Sequence, residues 1–355
     1  MTQYSCSHGG VYSVNPGLVR VDFSSNINPL GISGNVLNIL HKNLPKLSSI
    51  YPDNEHKNLK KKIINYLDSN LSYDSINIGN GATEIIYNFA RSIVQKQVTI
   101  PYPTFCEYEL ASRKMGSKIK HVRLKDWKLD VDGILEKTRN SDAIFICNPN
   151  NPTGLFSYDL VEKLIEKLDH SIKILVDESF IEFVDETKHP RSFIEKINEF
   201  QNVVVLRSLT KSFGLAGLRL GYSVSHPDLA KKISHNKITW NINGLAQLAG
   251  ITALDNLSHL RKARKIITTE RELMYARINH NLSSFSAIKS DVNFYLIRLS
   301  HGHCRQVRDL LLKKNGILVR ECSDFRGMND KYIRVAVRTR NENLALFDSL
   351  ELLDK

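Results

Sequence analysis

An α/β fold is the class this sequence predicts, with a mostly parallel sheet in a large domain and a smaller α+β domain behind it. Three observations carry that expectation. Short aliphatic and β-branched runs alternate with helical patterns through the middle of the chain, as in a parallel sheet covered on both faces. The carboxyl-terminal stretch changes to strand, helix, strand, strand, helix. A length of 355 residues, at roughly 150 per domain, favours two domains over one or four.

In order along the chain, residues 1–45 read as an amino-terminal arm that also contributes to the small domain. From about 54 to 67, Leu59, Ile63, Ile64 and Leu67 recur at helical spacing with lysines on the other face. Strand runs follow at Val98-Thr99-Ile100, Ile119 to Val122, Ile144-Phe145-Ile146, Ile172 to Val176 and Val203 to Leu206. Helical patterns separate them over 104–115 and 158–168. From about 243 to 282 the pattern is helical with few breakers. The closing stretch predicts strand 292–299, helix 303–315, strands 317–320 and 332–337, and helix 342–353. No repeat or Gly/Ser/Pro-rich linker appears, so the expected large domain, 46–255, and small domain, 256–355, pack closely about a shared cleft.

Composition narrows the function. Hydrophobic residues at 42% and charged residues at 24% exclude wholesale disorder and collagen-like architectures. No stretch reaches the roughly 18 apolar residues of a membrane span, and the opening residues lack a secretory signal pattern, so a cytoplasmic protein without a membrane partner is expected. Lys+Arg 49 against Asp+Glu 37 gives +12, which raises a nucleic-acid partner. Acids are interleaved with the lysines, however, and Lys60-Lys61-Lys62 falls in an amphipathic pattern, so a solvated face and no nucleic acid are expected. The five cysteines, Cys6, Cys106, Cys147, Cys304 and Cys322, are scattered with no Cys-x-x-Cys pair, which indicates neither a disulfide frame nor a structural zinc site. His301-Gly302-His303-Cys304 lacks a distant partner pair at ligand spacing, so no metal is expected.

Four segments put reactive or ligating groups at strand ends, where an open α/β sheet places its ligand site. After strand 203–206 comes Arg207-Ser208-Leu209-Thr210-Lys211-Ser212-Phe213-Gly214 and, further on, Arg219. Ser208, Thr210 and Arg219 could reach one phosphate, and a partly desolvated Lys211 would have a usable neutral amine; the bland alternative is a surface loop lysine. Leu175-Val176-Asp177-Glu178 ends a strand in acids, and a buried carboxylate there needs a cationic partner such as a protonated pyridine nitrogen, unless Asp177 merely caps a helix. Cys147-Asn148-Pro149-Asn150-Asn151-Pro152-Thr153-Gly154 fixes an amide side chain on a rigid turn. Gly79-Asn80-Gly81-Ala82-Thr83-Glu84 opens a helical pattern and offers backbone N–H groups to an anion; Glu84 stands where a dinucleotide fingerprint needs glycine.

A phosphate cradle, a lysine, a strand-end Asp and a fixed Asn together meet the needs of pyridoxal 5′-phosphate. With these motifs the chain resembles the fold-type I, aspartate-aminotransferase-like enzymes over nearly its whole length. The resemblance implies that 46–255 is the cofactor-binding domain, with Lys211 as the lysine that carries the cofactor and Asp177 on the ring nitrogen, both catalytic. It also implies Asn151 on the ring oxygen, Phe105 stacked on the ring, and Gly81, Ala82, Thr83, Ser208, Thr210 and Arg219 around the cofactor phosphate. Tyr51, in Tyr51-Pro52-Asp53, resembles a residue that reaches the cofactor phosphate of a partner subunit, which implies a homodimer.

Two branches compete, the histidinol-phosphate aminotransferases and the L-threonine-O-3-phosphate decarboxylases of cobalamin synthesis. Ser7-His8-Gly9-Gly10, followed by Asp22-Phe23-Ser24-Ser25-Asn26-Ile27-Asn28-Pro29, resembles the opening of the decarboxylases. Phe180 stands where the aminotransferase pattern has Tyr. The resemblance therefore implies a lyase that removes CO₂ from O-phospho-L-threonine, and conceivably O-phospho-L-serine, to leave 1-amino-2-propanol phosphate. Arg334 would clamp the substrate carboxylate; Arg320, His8 and Gly9 would hold its phosphate, with Asn26 and Asn151 close by. Planar guanidinium forks suit both anions. Without the resemblance, Arg320 and Arg334 read as strand-end surface residues and His8 as part of a frayed terminus.

Overall fold

The computed structural model describes residues 6–185 and 191–354. Its strands are β1 (Val21–Asp22), β2 (Ile76–Asn80), β3 (Gln97–Tyr102), β4 (Lys118–Arg123), β5 (Ala143–Cys147), β6 (Lys173–Asp177), β7 (Val203–Ser208), β8 (Leu220–Ser225), β9 (Phe285–Ala287), β10 (Phe294–Leu299), β11 (Ile317–Leu318), β12 (Arg320–Glu321) and β13 (Tyr332–Ala336). Seven of them form one sheet in the order β2-β8-β7-β6-β5-β3-β4. Only β8 runs against its neighbours in that sheet. Helices cover both faces, β7 is buried along its whole length, and β5 and β6 are buried at all but one end residue each. This explains why the predicted strands read as continuous aliphatic runs rather than alternating ones.

A second, antiparallel sheet has the order β12-β13-β10-β9, and β1 pairs in parallel with β11. The amino-terminal arm thus pairs with a strand of the carboxyl-terminal stretch. Phe23 N donates to the Leu318 carbonyl (2.8 Å), and Ala336 N donates to the Phe23 carbonyl (2.8 Å), so the arm lies between the lobe's strands. Further along, Asn28 N donates to the Lys211 carbonyl (3.0 Å) and Asn28 Nδ2 to the Ser212 carbonyl (2.8 Å). One segment therefore links the small lobe to the lysine turn of the large sheet.

The elements differ from expectation in three places. β2 and β8 were not predicted, because Ile76-Asn77-Ile78-Gly79-Asn80 and Leu220-Gly221-Tyr222-Ser223-Val224-Ser225 interleave small and polar residues with aliphatic ones. Gly221 is required by close approach: a Cβ there would lie 2.7 Å from Ala82 N. The helical stretch 243–282 is two helices, Gly244–Asp255 and Ser258–Asn281. Asn256 Oδ1 accepts from Ser258 N (3.1 Å) and Ser258 Oγ (2.5 Å), a local turn that competes with helix continuation. The strand expected over 317–320 is split, β11 pairing with the arm and β12 with β13.

Candidate active site

A cavity of about 330 Å³ opens at the carboxyl ends of β5, β6 and β7, with the arm and the small lobe closing its other side. Of the site residues expected from sequence, His8, Gly9, Asn26, Ala82, Thr83, Phe105, Asn151, Asp177, Ser208, Thr210, Lys211, Arg219, Arg320 and Arg334 all line it. Gly81 lies just beneath the wall: at φ 72°, a Cβ added to it would meet the Arg219 guanidinium. Tyr51 is not in the cavity of its own chain. It is exposed and stacks on Trp240 with ring centroids 4.4 Å apart.

Lys211 sits in the short helix Leu209–Ser212 directly after β7. Burial, with the Arg334 and Arg219 charges added, pulls its amine down to about 8 against the pull of Asp177. Asp177 ends β6 and is buried; Tyr108 Oη donates to its Oδ2 (2.7 Å) and Ser179 N to its Oδ1 (2.9 Å). Burial nonetheless raises the Asp177 carboxyl, so the site favours a cation beside it. Arg334, on β13, donates from Nη1 to Asn151 Oδ1 (2.5 Å) and from Nη2 to the Ser24 carbonyl (2.8 Å). That leaves the Asn151 amide N–H groups to face the cavity, while Arg334 Nε is buried with no partner among the described residues.

Arg320, on β12, is engaged by Asp324 (2.7 Å), by the Ser7 carbonyl (2.8 Å) and by the Glu321 carbonyl (2.6 Å). The Asp324 carboxyl lies below its ordinary value, Arg320 and Ser7 outweighing its burial. Gly9 packs so closely on Ser24 that a Cβ would lie 2.5 Å from the Ser24 carbonyl oxygen. His8 Nε2 lies 2.8 Å from Glu107 Oε1, and this hydrogen bond is the main reason the Glu107 carboxyl is lowered. The arm is therefore placed at the cavity rather than frayed.

The sequence reading missed Tyr108, Glu107, Cys106, Phe325 and Ser179 on the cavity wall. Tyr108 was findable: it follows Phe105 by three positions, in the first turn of the helix Glu107–Lys114, and packs edge-on to it at 5.7 Å. Phe325 offers no comparable signal, since a loop brings it in. The expectation of no disulfide is also corrected, because Cys6 on the arm is joined to Cys106. Their separation of 100 residues makes that pairing tertiary and invisible to spacing rules. Around them, donor atoms of Cys6, His8, Cys106 and Glu107 lie within 4.8 Å of one another. In the His301–Cys304 segment, His303 pairs with Asp330 and Cys304 is buried.

The residues present fit pyridoxal 5′-phosphate. Arg219 is pulled down by burial alone, with no carboxylate to offset it, and it stands over Gly81 at the start of the helix Gly81–Ile93. Guanidinium, helix N-terminus and the Ser208 and Thr210 hydroxyls together make an anion cradle, the first-turn carboxylate of Glu84 being turned to Asn80 N and Asn241 Nδ2 and not among the cavity's lining residues. Asn26 Oδ1 is buried in the wall with no partner among the described residues. The carboxylate, the lysine and the anion cradle share one hollow, as the cofactor requires.

Fold and site define a fold-type I, pyridoxal 5′-phosphate-dependent enzyme. More particularly, the chain belongs to the class I and II aminotransferase family, whose match runs over residues 20–350. It is 32% identical over 364 residues to the threonine-phosphate decarboxylase of Salmonella typhimurium, covering 99% of this chain and 97% of that one. The crystal structure of the histidinol-phosphate aminotransferase from Clostridium acetobutylicum is 31% identical, with TM-score 0.86, covering 94% and 99% of the two chains. The fold is also shared with the Sinorhizobium meliloti histidinol-phosphate aminotransferase solved with pyridoxal-5′-phosphate, at 21% identity and TM-score 0.89 over 97% and 94% of the chains. Among the described residues, no helix is long and apolar enough to cross a membrane.

Proposed function

We propose that this enzyme decarboxylates O-phospho-L-threonine, with O-phospho-L-serine as the close competitor. The observation that carries the reading is the docking of Ser7-His8-Gly9 into the cavity beside Arg320, with a second buried arginine, Arg334, on the same wall. Two separate guanidinium sites match a substrate bearing both a phosphate and a carboxylate. Histidinol phosphate carries a phosphate but no carboxylate, so in the aminotransferase reaction Arg334 would serve only the keto-acid acceptor, whereas phosphothreonine engages both sites at once. Phe180 supports the same branch, presenting an apolar edge, packed on Phe294 at 4.9 Å, where the alternative pattern presents a hydroxyl.

Gly81, Ala82, Thr83, Ser208, Thr210 and Arg219 would hold the cofactor phosphate, Asn151 its ring oxygen, Asp177 its protonated ring nitrogen and Phe105 its face. When bound, the cofactor supplies an electron sink for the pair left by the bond broken at the substrate Cα. The residues decide which bond that is. Arg334 would hold the substrate carboxylate and so orient the bond at Cα that breaks. Arg320, His8 and the Gly9 backbone would fix the opposite, phosphate end, and Asn26 would line the path between. Lys211, with its lowered pKa, would deliver a proton to Cα once CO₂ has left.

A homodimer belongs to this reading. Ile50, Tyr51, Ile238 and Trp240 expose apolar side chains near one another, a surface suited to a second copy. The test of the reaction is incubation of the purified holoenzyme with O-phospho-L-threonine alone. Release of CO₂ and 1-amino-2-propanol phosphate without a keto-acid acceptor is expected. Turnover of histidinol phosphate that depends on 2-oxoglutarate, with no CO₂ from phosphothreonine, would assign the aminotransferase reaction instead.

A further inference from the structure

The rim of the cavity carries a thiol pair that the proposed reaction does not use. Cys6 lies on the arm, Cys106 immediately precedes the helix Glu107–Lys114, and the two are joined with Cα atoms 6.0 Å apart. Cys106 stands between Phe105 and Glu107, and all three line the cavity alongside Ser7, His8 and Gly9, with the His8 ring 6.0 Å from that of Phe105. The other ties on this end of the arm are polar: Ser7 to Asp324 (3.0 and 2.6 Å), the Ser7 carbonyl to Arg320 Nη2 (2.8 Å) and His8 to Glu107 (2.8 Å), with the histidine side chain 55% exposed. Polar ties of partly exposed side chains each contribute little on their own. A covalent link at residue 6 holds residues 7 to 9 in place when they would otherwise part.

We propose that Cys6 and Cys106 form a reversible disulfide strap that fastens the arm across the cavity, and that its redox state sets how tightly the phosphorylated amino substrate is held. The substrate half of this rests on the class of substrate proposed above. Cys6 is the more exposed of the two cysteines, Cys106 being buried, and His8 Nε2 lies 3.8 Å from the Cys6 sulfur. The oxidant is a small-molecule disulfide such as oxidised glutathione. The Cys6 thiolate attacks one of its sulfurs and one glutathione thiolate leaves; Cys106 then attacks Cys6 in the mixed disulfide and displaces the second. Two electrons pass from the protein sulfurs to glutathione, and the two protein thiol protons end on the two glutathione thiols. Dithiothreitol reverses the sequence.

The experiment treats holoenzyme with oxidised glutathione or with dithiothreitol, alkylates it with N-ethylmaleimide, and maps the peptides by mass spectrometry. KM is measured on each form. A peptide cross-linked between Cys6 and Cys106 is expected in the oxidised sample alone, with KM for O-phospho-L-threonine about three- to tenfold lower than in the reduced sample, the gain from pre-ordering a short loop. Cys6→Ser, a change at the arm and away from both cores, should form no cross-link and keep the higher KM under both treatments. Full alkylation of both thiols after the oxidant would overturn the strap. So would a cross-link that leaves KM unmoved, or one equivalent of zinc taken up by the reduced protein on Cys6, His8, Cys106 and Glu107 that blocks oxidation. Absence of phosphothreonine turnover in both redox states would instead be a failure of the substrate reading; the KM comparison is then made with histidinol phosphate and 2-oxoglutarate, against the same cross-link map.

Discussion

Lys211 has an amine that burial and two neighbouring guanidinium groups pull from 10.5 to about 8, which gives its chemistry a pH dependence of known sign. Below that value the amine is mostly protonated and unreactive; above it, neutral and nucleophilic. Apoenzyme mixed with pyridoxal 5′-phosphate in a stopped-flow instrument should capture it at a rate that rises about tenfold per pH unit up to about pH 8 and then levels off. A rise that continues to pH 10 would mean the lysine is not desolvated. The residues legible in the sequence are those, like Lys211, Asp177 and Asn151, that stand directly after aliphatic strand runs, since strand ends are where this class of sheet gathers ligands. Cys106, Glu107 and Phe325 were not legible: they reach the cavity by packing against the arm and a loop, and no local periodicity announces such contacts.

The strand β7 that delivers Lys211 is anchored at the scale of elements by Arg207, whose guanidinium is buried against Glu178 (2.8 Å) and Glu182 (2.6 Å) and donates to Ser192 Oγ (2.9 Å). The strand end, the turn after β6 and the segment around 192 are thus tied at one charge. Arg207→Leu should lower unfolding stability in urea by about 3–5 kcal/mol, because two buried carboxylates lose their cation together. The loss should shrink as pH falls. Burial already raises Glu178 despite Arg207, and without Arg207 its folded pKa climbs further above the unfolded value, so protonation relieves the folded state first. A loss that is the same at pH 5 and pH 8 would show that packing rather than charge is responsible. Most strands of the large sheet were legible because they are buried on both faces; β2 and β8 were not, since Gly79 and Gly221, required by close approach to the helix Gly81–Ile93, and interleaved polar residues break their aliphatic pattern.

At the scale of the whole molecule, the cradle proposed for the cofactor phosphate lies within one chain, yet Tyr51 is outside that cavity and exposed beside an apolar surface. In a symmetric dimer the same patch meets itself, so a residue exposed in one subunit can reach the cavity of the other. Subunit mixing tests this directly. Lys211→Ala homodimers lack the amine, and Tyr51→Ala homodimers should bind pyridoxal 5′-phosphate weakly enough to be inactive at limiting cofactor. A hybrid of the two has one cavity with both defects and one with neither, provided Tyr51 acts across the interface. Equal mixing after mild denaturation and refolding should therefore restore about a quarter of wild-type activity, half the dimers being hybrids with one intact site each. If Tyr51 served its own chain, every cavity in the hybrid would carry a defect and mixing would restore nothing. Light scattering on the same samples reads subunit number independently, and a monomer would remove the basis for any exchange.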